Sequence, residues 1–259
     1  YVFLTKNYLT NAIHPRVMAL TASPGSDKEK INEVSSNLGL EKIEYRKPDD
    51  KEVLKYTAGT SVSWHNVELP DIFKKIIFYL NTAYTTKLSK VKELGYIKGS
   101  YANFSKTQLL KLQHELHGRV VKGDKTIEML ASISLLAQAL KISHATELAE
   151  SQTIYSLHEY LFNILKASKT TRTKAIQNLA IDPNFLSALS LTRDLFKEGV
   201  EHPKIAVLKT KVLAVLEKKP SAKIIIFSQY RDTAVEIEKR LNSFASSSVN
   251  SAEYLQIVV

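Results

Sequence analysis

Apolar residues in the middle of the chain recur at the three- and four-residue spacing of amphipathic helices. After Pro70 this spacing passes through Ile72, Ile76 and Leu80 and predicts a long helix that reaches Val91. Five more helices are predicted to follow it, the last of them stopped by a glycine at position 199. They are predicted at Lys106–Val121, Lys125–Ala149, Thr153–Ala167, Arg172–Leu179 and Asn184–Lys197.

Short apolar runs on both sides of this helical stretch have the composition of strands. These runs are Arg16–Leu20, Lys42–Arg46, Ser61–Leu69 and Lys223–Phe227. A capping box of Ser26 and Glu29 predicts a helix after the first run, and helices are also predicted at Lys204–Lys218 and Tyr230–Leu241. The predicted fold class is α/β fragments that flank a predominantly α-helical insertion, mostly α overall.

The change of pattern along the chain predicts the domain boundaries. Residues 1–67 and 201–242 are the α/β fragments, and residues 68–200 are the helical insertion. Residues 243–259 are serine-rich before a last apolar run, so we expect this tail to be partly disordered.

The chain carries a formal net charge of +10 and has a pI near 9.4. Six of these charges belong to residues 68–200, where 18 Lys and Arg face 12 Asp and Glu. A basic surface attracts polyanions, because cations that neutralise phosphates release condensed counterions. Nucleic acid is therefore the favoured partner, and a basic but inert surface is the alternative.

Two basic segments of the predicted insertion are candidate phosphate-binding sites. The first is "KASKTTRTK", with Lys166, Lys169, Arg172 and Lys174 beside the hydroxyls of Thr170, Thr171 and Thr173. The second contains Lys87, Lys90, Lys92, Lys98 and Lys106, with Tyr96 and Tyr101 as rings that could stack on an unpaired base. The alternatives are a solvated turn that complements a helix end and tyrosines that serve packing.

Several classes of site and location are excluded or disfavoured by composition. The chain has no cysteine, so it has neither disulfides nor cysteine-ligated metals. It has no apolar run of the roughly 20 residues that span a bilayer, and we expect a soluble, intracellular protein with no membrane partner. His114 and His117 are three residues apart, whereas zinc proteases place two histidines four apart, so we predict no metal site.

Two strings resemble motifs of superfamily 2 helicases. "VMALTASPGS" at Val17–Ser26 resembles motif III, and "AKIIIFSQYRDTA" at Ala222–Ala234 resembles motif IV. Between them, "HPKIAVLK" at His202–Lys209 resembles the segment that enters the second motor domain. "YVFLTKNY", "NLGLEKIEYR" and "HATELAESQ" are similar to archaeal Hef, whose relatives include FANCM, while Dicer and RIG-I-like helicases share the helical insertion.

The resemblance implies roles for particular residues. Thr21, Ala22 and Ser23 match motif III, which couples the nucleotide state to the grip on nucleic acid. Ser228, Gln229, Tyr230 and Arg231 match motif IV, which approaches the nucleic-acid backbone. Without the resemblance, these residues would be interpreted as a strand-ending turn and as a helix cap.

The resemblance also implies that residues 1–67 end a first RecA-like motor domain and that residues 201–242 begin a second. The Walker A, Asp-Glu-x-His, V and VI motifs are absent from the sequence. Phosphoryl transfer needs a phosphate cradle and a metal-holding carboxylate, so we expect no ATP hydrolysis by this chain alone and no cofactor within it. ATP and Mg²⁺ would serve the parent enzyme, together with its remaining motor segments.

The function implied is that of a clamp within an ATP-dependent DNA helicase or translocase for forked or branched DNA. One alternative is a helicase of the Dicer or RIG-I-like type that binds double-stranded RNA. The other is a helical protein-interaction module or spacer whose charge is incidental.

Overall fold

A computed structural model of the chain describes residues 1–21, 25, 27–47, 50–56, 61–100 and 104–248, excluding the side chains at 232 and 243–248. The chain divides into two units, Tyr1–Trp64 and His65–Val259. Helices account for all the regular secondary structure in the described ranges, which contain no strand. The prediction of a mostly α chain is confirmed.

The first unit contains helices α1 (Val2–Asn11), α2 (Lys28–Asn37) and α3 (Lys51–Leu54). The cap of α2 is Asp27, whose side chain accepts a hydrogen bond from the Glu29 N–H at 3.0 Å. The predicted cap, Ser26, lies outside the described residues. None of the described side chains of this unit is buried.

The α/β character predicted for the two flanks is not seen. Where they are described, the four strand-like runs are irregular. A strand needs at least one neighbouring strand to pair its N–H and C=O groups, and the described residues of each unit supply none. Met18 and Leu20 of the first run accordingly remain exposed.

The described residues of the second unit form eight helices. They are α4 (Asp71–Glu93), α5 (Lys106–Val121), α6 (Ile127–Ser151), α7 (Ile154–Ser168), α8 (Lys174–Ala180), α9 (Pro183–Lys197), α10 (Pro203–Lys218) and α11 (Arg231–Ser248). Their ends lie within two residues of the predicted ones, except that α11 continues to Ser248, into the predicted tail. The predicted stop of α9 is confirmed, since Gly199 has φ 68° and the Val200 N–H bonds to the Leu195 carbonyl.

The two longest helices, α4 and α6, each contribute to two hydrophobic clusters. One end of the pair packs with α7, α8 and α9 around Phe73, Leu157 and Phe185. The other end packs with α5 around Leu109 and Met129. These shared helices unite α4 to α9 into one helical block.

A buried ion pair joins α4 to the start of α9 within this block. Lys87 of α4 is 7% exposed, and its Nζ lies 2.5 Å from Oδ2 of Asp182. The other carboxylate oxygen of Asp182 caps α9, accepting from the N–H groups of Asn184 and Phe185. One aspartate therefore begins α9 and fixes it to α4.

The helices α10 and α11 form a smaller cluster around Ile205, Val212, Ile237 and Leu241. The segment 222–227 lies over it in extended form, with Ile224 and Ile226 packed inwards while Ile225 and Phe227 face solvent. The buried parallel strand predicted at Lys223–Phe227 is therefore not seen, because only one side of this segment is covered.

Replacing Asp182 by Asn should destabilise the block by about 3–5 kcal/mol, because Asn can still cap α9 but leaves the buried Lys87 ammonium without a counter-charge. Urea unfolding followed by circular dichroism measures this loss. Lys87→Met in the Asp182→Asn background should recover most of it.

The matched control is Asp71→Asn, which breaks an exposed pair with Lys74 and should cost less than about 1 kcal/mol. Equal losses for Asp182→Asn and Asp71→Asn would contradict a structural role for the buried pair.

Candidate nucleic-acid interface

The predicted basic loop connects α7 to α8 on the surface of the helical block. Lys166, Lys169, Arg172 and Lys174 are all exposed. None of the four forms an ion pair with any acidic group that the structure describes. Four unpaired cations are therefore presented within nine residues of chain.

The threonines of this loop order its backbone. The Thr171 hydroxyl donates to Thr173 Oγ1 at 3.1 Å and accepts from the Thr173 N–H at 3.2 Å. Gln177 Nε2 donates to the Thr171 carbonyl at 2.9 Å, and the Thr170 hydroxyl donates to the Ala167 carbonyl. Since two of the three hydroxyls donate within the loop, its cations are the better candidates for phosphate contact.

The second predicted basic region is divided by the fold. Lys90, Lys92 and Lys98 are exposed. Lys87 is buried against Asp182, so the expectation that it contacts phosphate is corrected: its ammonium already has a partner inside the protein. Lys106 lies 3.0 Å from Glu147.

Of the two tyrosines proposed to stack on a base, the structure describes Tyr96. Tyr96 packs against the cluster around Leu109, and its hydroxyl lies 3.3 Å from Thr126 Oγ1. This is the packing alternative. Tyr101 lies outside the described residues.

The motif IV segment leads into α11, and its residues have different surroundings. Gln229 and Arg231 are exposed, and Ser228 is half-buried with its hydroxyl 3.3 Å from the Tyr230 carbonyl. The Tyr230 hydroxyl instead donates to Glu147 Oε2 at 3.2 Å and lies 3.3 Å from His144 Nδ1. Tyr230 therefore fastens the segment to α6.

Charge and burial act together around Glu147. Partial burial would raise its pKa, but Lys106, followed by hydrogen bonds from Tyr230 and His144, outweighs this and holds the pKa below its ordinary value. Partial burial, with the negative charge of Glu147, raises the pKa of Tyr230. The Glu147 carboxylate therefore stays ionised and accepts the hydrogen bond, and the Tyr230 hydroxyl stays protonated and donates it.

Further contacts join α10 and α11 to the segment that follows α9, and α11 to the block. Lys209 and Arg240 both pair with Glu201, and Thr233 Oγ1 lies 3.3 Å from Ser156 Oγ of α7. Sequence reasoning assigned no role to Glu147, His144 or Glu201. The string "HATELAESQ" contains the first two, but their role depends on Tyr230, more than 80 residues away in the chain.

The remaining expectations concern motif III and metals. Thr21 is exposed, while Ala22 and Ser23 lie outside the described residues. Throughout the described part of the chain, no three His, Asp or Glu side chains gather closely enough to hold a metal ion. Among the described helices, none has the length and apolarity needed to cross a membrane.

Comparison with known proteins places the helical block in a class. Residues 72–198 match the family model described as "Putative ATP-dependent RNA helicase, helical bundle". The block formed by α4 to α9 is therefore similar to the helical region of that helicase family.

The particular relatives are Hef, FANCM and MPH1. The crystal structure of the Pyrococcus furiosus Hef helicase domain superposes with a TM-score of 0.65 and 34% identity, over 94% of this chain and 50% of that one. The Methanocaldococcus jannaschii protein named "Putative ATP-dependent RNA helicase MJ1505" is 32% identical over 98% of this chain. The mouse Fanconi anemia group M protein homolog is 24% identical over 93% of it.

The resemblance to archaeal Hef and FANCM is thus confirmed over most of the chain. The Saccharomyces cerevisiae ATP-dependent DNA helicase MPH1 is also similar, at 25% identity over 90% of this chain. The chain spans 30% of the MJ1505 protein, 13% of the mouse protein and 24% of MPH1.

The connection between the block and α10 should become less stable in acid. His202 is buried, caps α10 through Nδ1, which accepts from the Lys204 N–H, and packs edge-on against Phe73. Burial, reinforced by the charge of Lys204, lowers its pKa to about 4. Because the folded state resists protonation that the unfolded state accepts below pH about 6.5, stability should fall by up to about 3 kcal/mol between pH 6.5 and 4.

Unfolding in urea at a series of pH values measures this slope. The variant His202→Asn keeps a capping acceptor but cannot titrate, so its stability should vary less over the same range. Identical slopes for the two proteins would show that His202 is not responsible.

Proposed function

We propose that this chain is part of an ATP-dependent DNA helicase or translocase that acts on forked or branched DNA, and that its helical block binds duplex or branch backbone. Such contacts fix the position of the protein without reading sequence. Residues 1–67 would then end the first RecA-like motor domain, residues 68–200 form the thumb-like insertion, and residues 201–242 begin the second motor.

The observation that carries the proposal is the loop between α7 and α8. Its four cations are exposed, have no acidic partner among the described side chains, and stand on a loop ordered by its own hydrogen bonds. Cations held on a rigid surface bind phosphate with less loss of conformational freedom than cations on a mobile loop. Exposed Lys90 and Lys92 add positive charge at the end of α4.

Several observations support the role assigned to the flanks. MPH1 is named an ATP-dependent DNA helicase, and the match extends over both flanks of the block. Ser228, Gln229 and Arg231 of motif IV would approach the tracked strand, while Tyr230 would hold that segment against the block. Thr21 of motif III would couple the nucleotide state to the grip on nucleic acid. ATP and Mg²⁺ would bind with the remaining motor segments of the parent, in an intracellular, DNA-associated enzyme.

Replacing Lys166, Lys169, Arg172 and Lys174 together by Glu should abolish measurable binding of a fork by this chain. Each cation that contacts duplex phosphate contributes about 0.9 to the slope of log affinity against log salt. Fluorescence anisotropy with a labelled fork and a linear duplex, over a series of salt concentrations, measures both the affinity and this slope.

The control is a second quadruple variant with the same change of charge on the same unit, Lys75, Lys111, Lys122 and Lys125 to Glu, all of which are exposed. It should retain most of the affinity. Equal weakening in both variants would show that the net positive charge of the unit, and not this loop, accounts for the binding. Equal affinity for fork and duplex would contradict the proposed preference for branched DNA. The absence of any nucleic-acid binding would favour the alternative of a protein-interaction module or spacer.

The second candidate ligand is double-stranded RNA. The observation in its favour is the description of the matching family and of the Methanocaldococcus jannaschii relative as RNA helicases. A-form duplexes are recognised by their shape and 2′-hydroxyl groups. Competition between DNA and RNA hairpins of matched sequence separates the two, and stronger displacement by RNA would replace the DNA proposal.

A further inference from the structure

A stack of three near-parallel rings lies on the outer surface of α7 and α9. His158 is stacked on Phe196 with ring centroids 4.4 Å apart and an angle of 6° between the planes. The ring of Phe162, one turn further along α7, lies 5.8 Å from that of His158 and at 11° to it. Tyr155 borders the stack, with its ring 6.1 Å from that of Phe196.

The exposure of these rings is unusual for packing residues. His158, in the middle, is 9% exposed, whereas Phe162, Phe196 and Tyr155 are 44%, 38% and 40% exposed. His158 is stacked on both phenylalanines, yet each of them leaves more than a third of its surface exposed in the stack. A further planar ring could extend it, as bases do on the aromatic side chains of proteins that bind single strands.

The stack stands beside the cationic loop. Phe162 and Lys166 are four residues apart on α7, so they share a helix face about 6 Å apart along its axis. Lys169 follows at the end of the same helix, and on α9 the exposed Arg193 comes one turn before Phe196. Rings and cations therefore occupy one stretch of surface.

An acidic group, Glu159, lies next to the stack. Its carboxylate lies 3.5 Å from His158 Nδ1, a buried atom with no hydrogen-bond partner among the described residues. The negative charge of Glu159 would repel the phosphates of a bound strand, and the cations of the loop would attract them towards Lys166.

We infer that the rings of Phe162, His158 and Phe196 form a stacking site for unpaired bases of a nucleic-acid strand whose phosphates lie on Lys166 and Lys169. This inference rests on the proposed function, because it adds a single-stranded arm to the branch that the loop binds. Planar rings distinguish an unpaired base from a duplex, whose bases are already stacked. Stacking of unpaired bases on these rings would give the block a higher affinity for a branch than for a linear duplex.

The test uses this chain with an oligothymidylate, a blunt duplex and a fork. Phe162→Ala should weaken oligothymidylate binding by about fivefold or more, as loss of one base–aromatic stack does, and should change blunt-duplex binding by less than about twofold. The matched control is Phe78→Ala on α4, an exposed phenylalanine outside the stack, which should leave both affinities unchanged. Equal melting temperatures show that both variants are folded.

A fluorescence measurement tests the stack directly. Trp64 is the one tryptophan in the sequence, so Trp64→Phe provides a dark background. In that background Phe162→Trp should keep its affinity, and its emission should be quenched by oligothymidylate, while Phe78→Trp should not be quenched. Equal quenching at both positions, or no loss of affinity in Phe162→Ala, would overturn the stacking site.

Failure of the two proposals can be told apart. If the quadruple Glu variant of the loop weakens fork binding while Phe162→Ala binds oligothymidylate normally, the stack is refuted and the phosphate-binding loop stands. If the quadruple loop variant binds every nucleic acid as the unmodified chain does, the proposed function fails and the stack fails with it.

Discussion

The packing of α4 against α6 is the contact on which the rest of the helical block depends. Each helix is long enough to contribute to two hydrophobic clusters, so α5 and the trio α7, α8 and α9 are positioned on one common support. Lys87 and Asp182 fix the start of α9 to this support. Packing in the interior of the block therefore fixes the surface of α7 and α9. A site that binds without rearranging requires such support.

The same support fixes the motif IV segment. Tyr230 bonds to Glu147 and His144 on α6, while Ser156 of α7 approaches Thr233 of α11. A displacement of α11 has to carry the block along or break these hydrogen bonds. In the proposed helicase, such a connection would let movement of the second motor reach the clamp through side chains that bind neither nucleotide nor nucleic acid.

The helices could be predicted from sequence because each one carries its own apolar period and end signals, as Gly199 shows for α9. The strands predicted at runs such as Lys223–Phe227 are not seen, because a strand depends on partners that its own sequence does not specify. The cationic loop was found from local charge. The role of Tyr230, the burial of Lys87 and the stack around His158 arise from residues distant in sequence, which a periodic pattern cannot bring together.

The extended segment 222–227 has a consequence for the behaviour of this chain in solution. Its inner face is covered through Ile224 and Ile226, but Ile225 and Phe227 point outwards, and no strand in the described part of the chain pairs with its backbone. An uncovered apolar edge of this kind is a template for pairing with another polypeptide. Concentrated preparations should therefore self-associate through this edge, and a lysine at position 225 or 227 should improve solubility without touching the helical block.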